Sequence, residues 1–236
     1  MKTLAIIPAR GGSKRIPRKN IKLFCGQPII KYSILAALES KCFSEVMVST
    51  DDREIADIAL KYGAKVPFFR SPENSGDNVQ IAHVAIEVLN WYAEQGKTYR
   101  YFCCLLPTAP FVSSQKIVDG LTLMKKQKAE AVFTVLKFGY PIERALDVTA
   151  KGVKMKWPEN YDIGSQHFKT SYHDAGQFYW VEVNSFLKKK EFFLNKSYAI
   201  ELSELGAQDI DTEEDWKIAE IKYKIITNAK NFKERN

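Results

Sequence analysis

The chain has 236 residues, 45% hydrophobic and 27% charged, with 12 Gly and 9 Pro, values of an ordinary globular domain that exclude a disordered, collagen-like or low-complexity protein. Lys and Arg number 35 against 28 Asp and Glu, a net charge of +7 that admits an anionic partner without choosing among nucleic acid, membrane surface and nucleotide phosphate. No apolar run approaches the ~18 residues that span a bilayer, and Leu4–Ile7 is too short for a signal-peptide core, so a cytoplasmic protein is expected.

Residues 3–7 form a short apolar run closed by Pro8, then comes a loop rich in Gly, Lys and Arg, and a helical pattern opens at Pro28. The spacing predicts a strand over 45–49 and a helix over 53–62, capped by Asp51 or Asp52 and stopped by Gly63. It predicts further strands over 65–69, 101–106 and 131–136 and helices over 79–94 and 115–127. Beyond Gly139 the pattern changes to a hairpin over 145–157, turning at Lys151-Gly152, and a polar irregular stretch over 158–173 that reads as a binding or partner-contacting loop. A strand over 175–183 follows, and Trp216, Ala219, Tyr223 and Ile226 mark a closing helix over 212–226. Strand–helix alternation with nearly continuous apolar strands predicts one α/β domain: a doubly wound, mostly parallel, Rossmann-like sheet, with an insertion at about 140–173. Cys25, Cys42, Cys103 and Cys104 lack Cys-x-x-Cys spacing and read as reduced thiols.

Three stretches can carry chemistry. The loop Pro8–Asn20 follows the first strand, where ligands bind in open α/β sheets, and joins Gly11-Gly12 to Arg10, Lys14, Arg15, Arg18 and Lys19. Paired glycines let backbone amides approach an anion, and the cations can neutralise a triphosphate; a solvated basic turn is the alternative. The spacing fits neither the Walker loop nor Gly-x-Gly-x-x-Gly. In Gln208–Asp215, Asp209 and Asp211 stand two apart and face one side of an extended chain, which suits Mg²⁺ shared with phosphate oxygens. Capping of the next helix by Asp211 or Thr212 competes with that role or coexists with it. Tyr172–Trp180 leads from polar groups into an aromatic strand that is either a site wall or ordinary core.

Together these segments resemble the cytidylyltransferases that activate nonulosonic acids, the CMP-sialic acid synthetase family, and within it the pseudaminic acid subgroup. The carriers are Ile7–Asn20, Val48-Ser-Thr-Asp51, Phe69-Arg-Ser-Pro-Glu73 with Asp77, Leu106-Pro-Thr-Ala-Pro110 and Asp209-Ile-Asp-Thr212, spread over nearly the whole chain. The resemblance implies transfer of CMP from CTP to the anomeric hydroxyl of a nine-carbon 2-keto sugar acid, with Mg²⁺ as cofactor. It implies Arg10, Lys14, Lys19 and Asp211 as catalytic residues, Ala9, Arg10, Gly11, Asn20, Arg70 and Asp77 at the nucleotide, and Asp209 and Asp211 at the metal. Leu106, Gln177, Phe178 and Tyr179 fall on the sugar side, and Leu106 stands where sialic acid enzymes carry Gln, which points away from N-acetylneuraminate toward a more deoxygenated acceptor. A homodimer built through the insertion is implied too. N-acetylneuraminate, legionaminate or 3-deoxy-manno-octulosonate as acceptor, and a basic nucleic-acid-binding module, are the competing readings.

Overall fold

The computed structural model describes residues 2–233. The elements run β1 (Thr3–Pro8), β2 (Leu23–Phe24), β3 (Gln27–Pro28), α1 (Ile30–Ser40), β4 (Glu45–Ser49), α2 (Arg53–Lys61), α3 (Ile81–Glu94), β5 (Tyr101–Leu105) and α4 (Ser114–Gln127). Then follow β6 (Ala131–Lys137), β7 (Leu146–Thr149), β8 (Gly152–Met155), β9 (Tyr172–Glu182), α5 (Val183–Lys189), β10 (Ser197–Leu202) and α6 (Glu213–Lys233). Six strands form the main sheet in the order β10-β6-β9-β5-β1-β4. All of its neighbours pair in parallel except β9, which runs antiparallel to both β5 and β6.

Strand alternation sorts the core into two layers. Ala5 and Ile7 of β1 pack with Ile34, Ile117 and Leu121 on the side of α1 and α4, while Leu4 and Ile6 pack with Ala85, Val88 and Tyr92 of α3 on the other. A third cluster joins Ile16, Phe24 and Ile29 to Ile210, Trp216 and Ala219, so the basic loop and the acidic segment are folded onto one apolar nucleus. Phe24 sits edge-on to both Trp216 and Tyr223, with ring centroids 5.7 and 5.5 Å away.

Two sequence expectations need correction. Residues 65–69 make a single parallel bridge, Met47 to Lys65, because only the first residue of that run reaches the edge of β4. The strand β10 was not anticipated: none of its positions is fully buried and two of six are exposed at the sheet edge, so its side chains never form the apolar run of a buried strand. The predicted hairpin exists as β7 and β8, with Gly152 at φ +120° in its turn. Since β9 runs opposite to its neighbours, its first residues and the insertion before it lie at the C-terminal ends of the parallel strands.

Candidate active site

The chain leaves β1 at Pro8 into a loop bonded to the end of β4 and to itself. Ala9 N donates to Ser49 O (2.9 Å), Gly11 N to Asp51 Oδ1 (2.9 Å), and the buried Asn20 amide to Arg10 O (2.9 Å). A side chain at Gly11 would place its Cβ 2.6 Å from Asp52 Oδ2, which accounts for glycine there. Arg18, at φ 55°, turns away and grips Asp52 through two bonds of 2.5 and 2.9 Å and Glu54 through one of 2.5 Å. Of the five loop cations, Arg18 is a strut of the loop, three of its N–H groups bonded to two carboxylates, and it alone does not line the cavity that the others border.

The others face a cavity of about 270 Å³ at the C-terminal end of β1. It gathers Arg10, Lys14, Lys19, Asn20, Arg70, Asp77 and Leu106 from segments far apart in sequence. Ala9 and Gly11 stand behind it as shapers of the loop backbone. Asp77 pairs with Arg10 at 2.8 Å and with Lys14, and these contacts, the Lys14 hydrogen bond foremost, hold its carboxyl below the usual range. Arg70 is buried, its Nε donating to Ser49 Oγ (3.0 Å) and its NH2 to Ser49 O. Burial presses its pKa down while Asp51 and Glu87 sustain its charge.

The acidic segment lies beside the cavity and lines none of it; it is joined to it through two of the lining cations. Arg15 pairs with Asp211 at 2.6 Å, and Lys19 Nζ donates to Ile210 O at 2.7 Å and lies 3.4 Å from Asp211. The cap of α6 is a reciprocal box: Asp215 N donates to Thr212 Oγ1 (3.1 Å), and Thr212 N donates to Asp215 Oδ2 (2.8 Å). Thr212 does the capping, and the Asp211 carboxylate is left for the site. Partial burial, then the charge of Asp211, push the Asp209 carboxyl up from its ordinary value against the pull of Lys19. Two mutually repelling carboxylates supply hard oxygen donors, and no cluster of three or more metal-binding side chains occurs among the described residues. That donor set fits Mg²⁺ sharing phosphate oxygens and water better than a cage made wholly of protein.

The aromatic strand divides between site and core. Gln177 is buried, its amide donating to Gly206 O at 2.7 Å, and its own carbonyl accepts from Leu106 N at 2.9 Å. Phe178 is fully buried on the α4 side, where its ring would be 3.1 Å from a Cβ at Gly120. Phe178 is thus a core residue, placed there by strand alternation, and it does not reach the cavity. Tyr179 points to the opposite face, donates its hydroxyl to Asp174, and lines a second, mainly apolar cavity of about 350 Å³ with Phe192 and Phe193. Ile81 borders both cavities. Sequence reasoning gave no role to Asn74 and Thr108, which line the first cavity; Thr108 sits in the motif Leu106-Pro-Thr-Ala-Pro110, and Asn74 directly follows Phe69–Glu73.

Comparison with known proteins places this geometry. A family profile described as cytidylyltransferase matches residues 4–227. A pseudaminic acid cytidylyltransferase of Campylobacter jejuni is 41% identical, covering 95% of this chain and 97% of that one. A CMP-N,N'-diacetyllegionaminic acid synthase of Legionella pneumophila is 32% identical, covering 93% and 95%. Among solved structures, a CMP-2-keto-3-deoxy-manno-octonic acid synthetase complexed with CTP superposes with a TM-score of 0.68 at 15% identity, covering 97% of this chain and all of that one, which establishes the shared fold.

Proposed function

We propose, because this chain belongs to the cytidylyltransferase family, that it transfers CMP from CTP to the anomeric hydroxyl of pseudaminic acid, releasing pyrophosphate. The near-full-length likeness to a pseudaminic acid cytidylyltransferase carries the choice of sugar. Apolar Leu106 and the apolar cavity walled by Tyr179, Phe192 and Phe193 support it, since a deoxygenated acceptor with methyl groups needs few polar partners.

In this reaction the acceptor oxygen attacks the α-phosphorus, and the bond from that phosphorus to the bridging oxygen of the β-phosphate breaks. Arg10, Lys14 and Lys19 stand where negative charge accumulates on the phosphates, and they act by stabilising it. Asp77 pairs with Arg10 and Lys14, and Asp211 with Arg15 and Lys19, so triphosphate binding exchanges carboxylate partners for phosphate ones. Arg70, tied to Ser49 by two donors, contacts the cytosine. Asp209 and Asp211 would hold Mg²⁺, which when bound neutralises phosphate charge and lowers the pKa of a coordinated hydroxyl.

The assembly is a homodimer formed through the insertion. Leu146, Val148 and Val153 of the β7–β8 hairpin are 56, 74 and 59% exposed, an apolar surface that a second copy would cover. The working compartment is the cytoplasm, where CTP is available; no helix among the described residues is long and apolar enough to cross a membrane. Pyrophosphate release with CTP and Mg²⁺, assayed with pseudaminate beside legionaminate and N-acetylneuraminate, tests the reading. Release with legionaminate alone would keep the chemistry and replace the sugar.

A further inference from the structure

The segment between α2 and α3 makes one wall of the nucleotide cavity: Arg70, Asn74, Gly76 and Asp77 all border it. Its local bonds are internal, Asn74 Nδ2 donating to Ser71 Oγ (3.2 Å) and Ser75 Oγ to Ser71 O (2.7 Å), so the turn is a unit tied to the rest of the fold by Arg70 N, which donates to Thr50 O (2.8 Å), and by Ser71. Ser71 N donates to Glu87 Oε1 of α3 at 2.9 Å. The second oxygen, Oε2, is shielded from solvent and has no hydrogen-bond partner among the described residues. A carboxylate placed that way is costly, and amide or apolar side chains would fill the same space at less cost. Its use lies in what it holds: Ser71 directly follows Arg70, so the carboxylate fixes the backbone from which that buried guanidinium springs.

We propose that Glu87 is a positioning residue for base recognition: by accepting from Ser71 N it fixes the turn, and with it the backbone that carries the Arg70 guanidinium. It touches no substrate; its effect reaches the base through Arg70. The inference rests on the nucleotide reading above. A guanidinium held in one orientation presents its remaining N–H to the acceptor atoms N3 and O2 of cytosine, whereas uracil carries a donor at N3, so loss of orientation erodes discrimination between the two bases.

The test is steady-state kinetics with CTP and with UTP for wild type, Glu87→Ala and Glu87→Gln, with melting temperatures measured alongside. Glu87→Ala is expected to raise KM for CTP roughly tenfold with kcat nearly unchanged, the effect of one lost charged hydrogen bond, and to narrow the CTP-to-UTP ratio of kcat/KM. Glu87→Gln keeps an acceptor for Ser71 and loses only the charge, so KM should rise about threefold with part of the selectivity restored. Unchanged KM and selectivity in both variants overturns the proposal, as does a fall in kcat shared equally by both nucleotides with a lowered melting temperature. If Glu87→Ala does not fold, the selectivity of Glu87→Gln decides alone. A wild type that turns over no CTP would instead strike at the function itself.

Discussion

At Asp211 two sequence readings met, helix cap and metal ligand, and the reciprocal bonds of Thr212 and Asp215 separate them. Asp211→Asn should therefore fold normally, with a melting temperature within about 3 °C of wild type, and lose pyrophosphate release by ~100-fold or more; near-normal turnover would return Asp211 to a structural role. Arg18 makes a contrasting case. Its guanidinium, chiefly by hydrogen bonding, depresses the Asp52 carboxyl. A depressed folded-state value means that this contribution is complete above the unfolded carboxyl value of ~3.9 and is lost as pH falls through the lower folded one. Asp52 also caps α2 by accepting from Ile55 N at 3.0 Å, and Asn caps equally well. Asp52→Asn thus isolates the ion pair: urea titrations should find it less stable than wild type at pH 7, with the gap closing toward pH 3. A gap that persists unchanged at pH 3 would show that the pair contributes nothing.

Among the elements, α4 and β9 depend on one close approach. A methyl at Gly120 would lie 2.7 Å from Trp180 Cδ1, a side chain fixed by its bond to Ile117 O (3.0 Å), so neither partner yields easily. Gly120→Ala is expected to cost about 1–3 kcal/mol, read as a lowered melting temperature, while KM for CTP stays put because the contact is remote from the cavity. The strands and helices of the parallel part were legible because apolar periodicity registers burial directly: β1, β4, β5 and β6 carry it. The edge strand β10 was silent, having no fully buried position, and the antiparallel sense of β9 was unreadable because pairing direction leaves no local trace. For the candidate site, the basic loop stood out by its charge, while the spacing of Asp209 and Asp211 left capping and metal binding both open. The sequestering of Arg18, the burial of Phe178 and the part taken by Glu87 emerge only once Asp52, Gly120 and Ser71 are brought beside them.

For the molecule as a whole, the site is assembled between separately packed layers. The cluster of Ile16 with Ile210 and Trp216 carries the basic loop to the acidic segment, while the end of β5 delivers Leu106 and the segment after α2 brings Arg70. The insertion hangs outside both layers, its hairpin exposed, and sedimentation at micromolar concentration should find a dimer that Val148→Lys converts to monomer. A wild-type monomer would show that this surface serves something else. The most direct measurement is pyrophosphate release with CTP and Mg²⁺, with pseudaminate as acceptor and legionaminate and N-acetylneuraminate in parallel. The account predicts saturable release with pseudaminate, abolished by chelating the metal, and little with the others. Folded protein that neither binds CTP nor releases pyrophosphate with any of the three would contradict it.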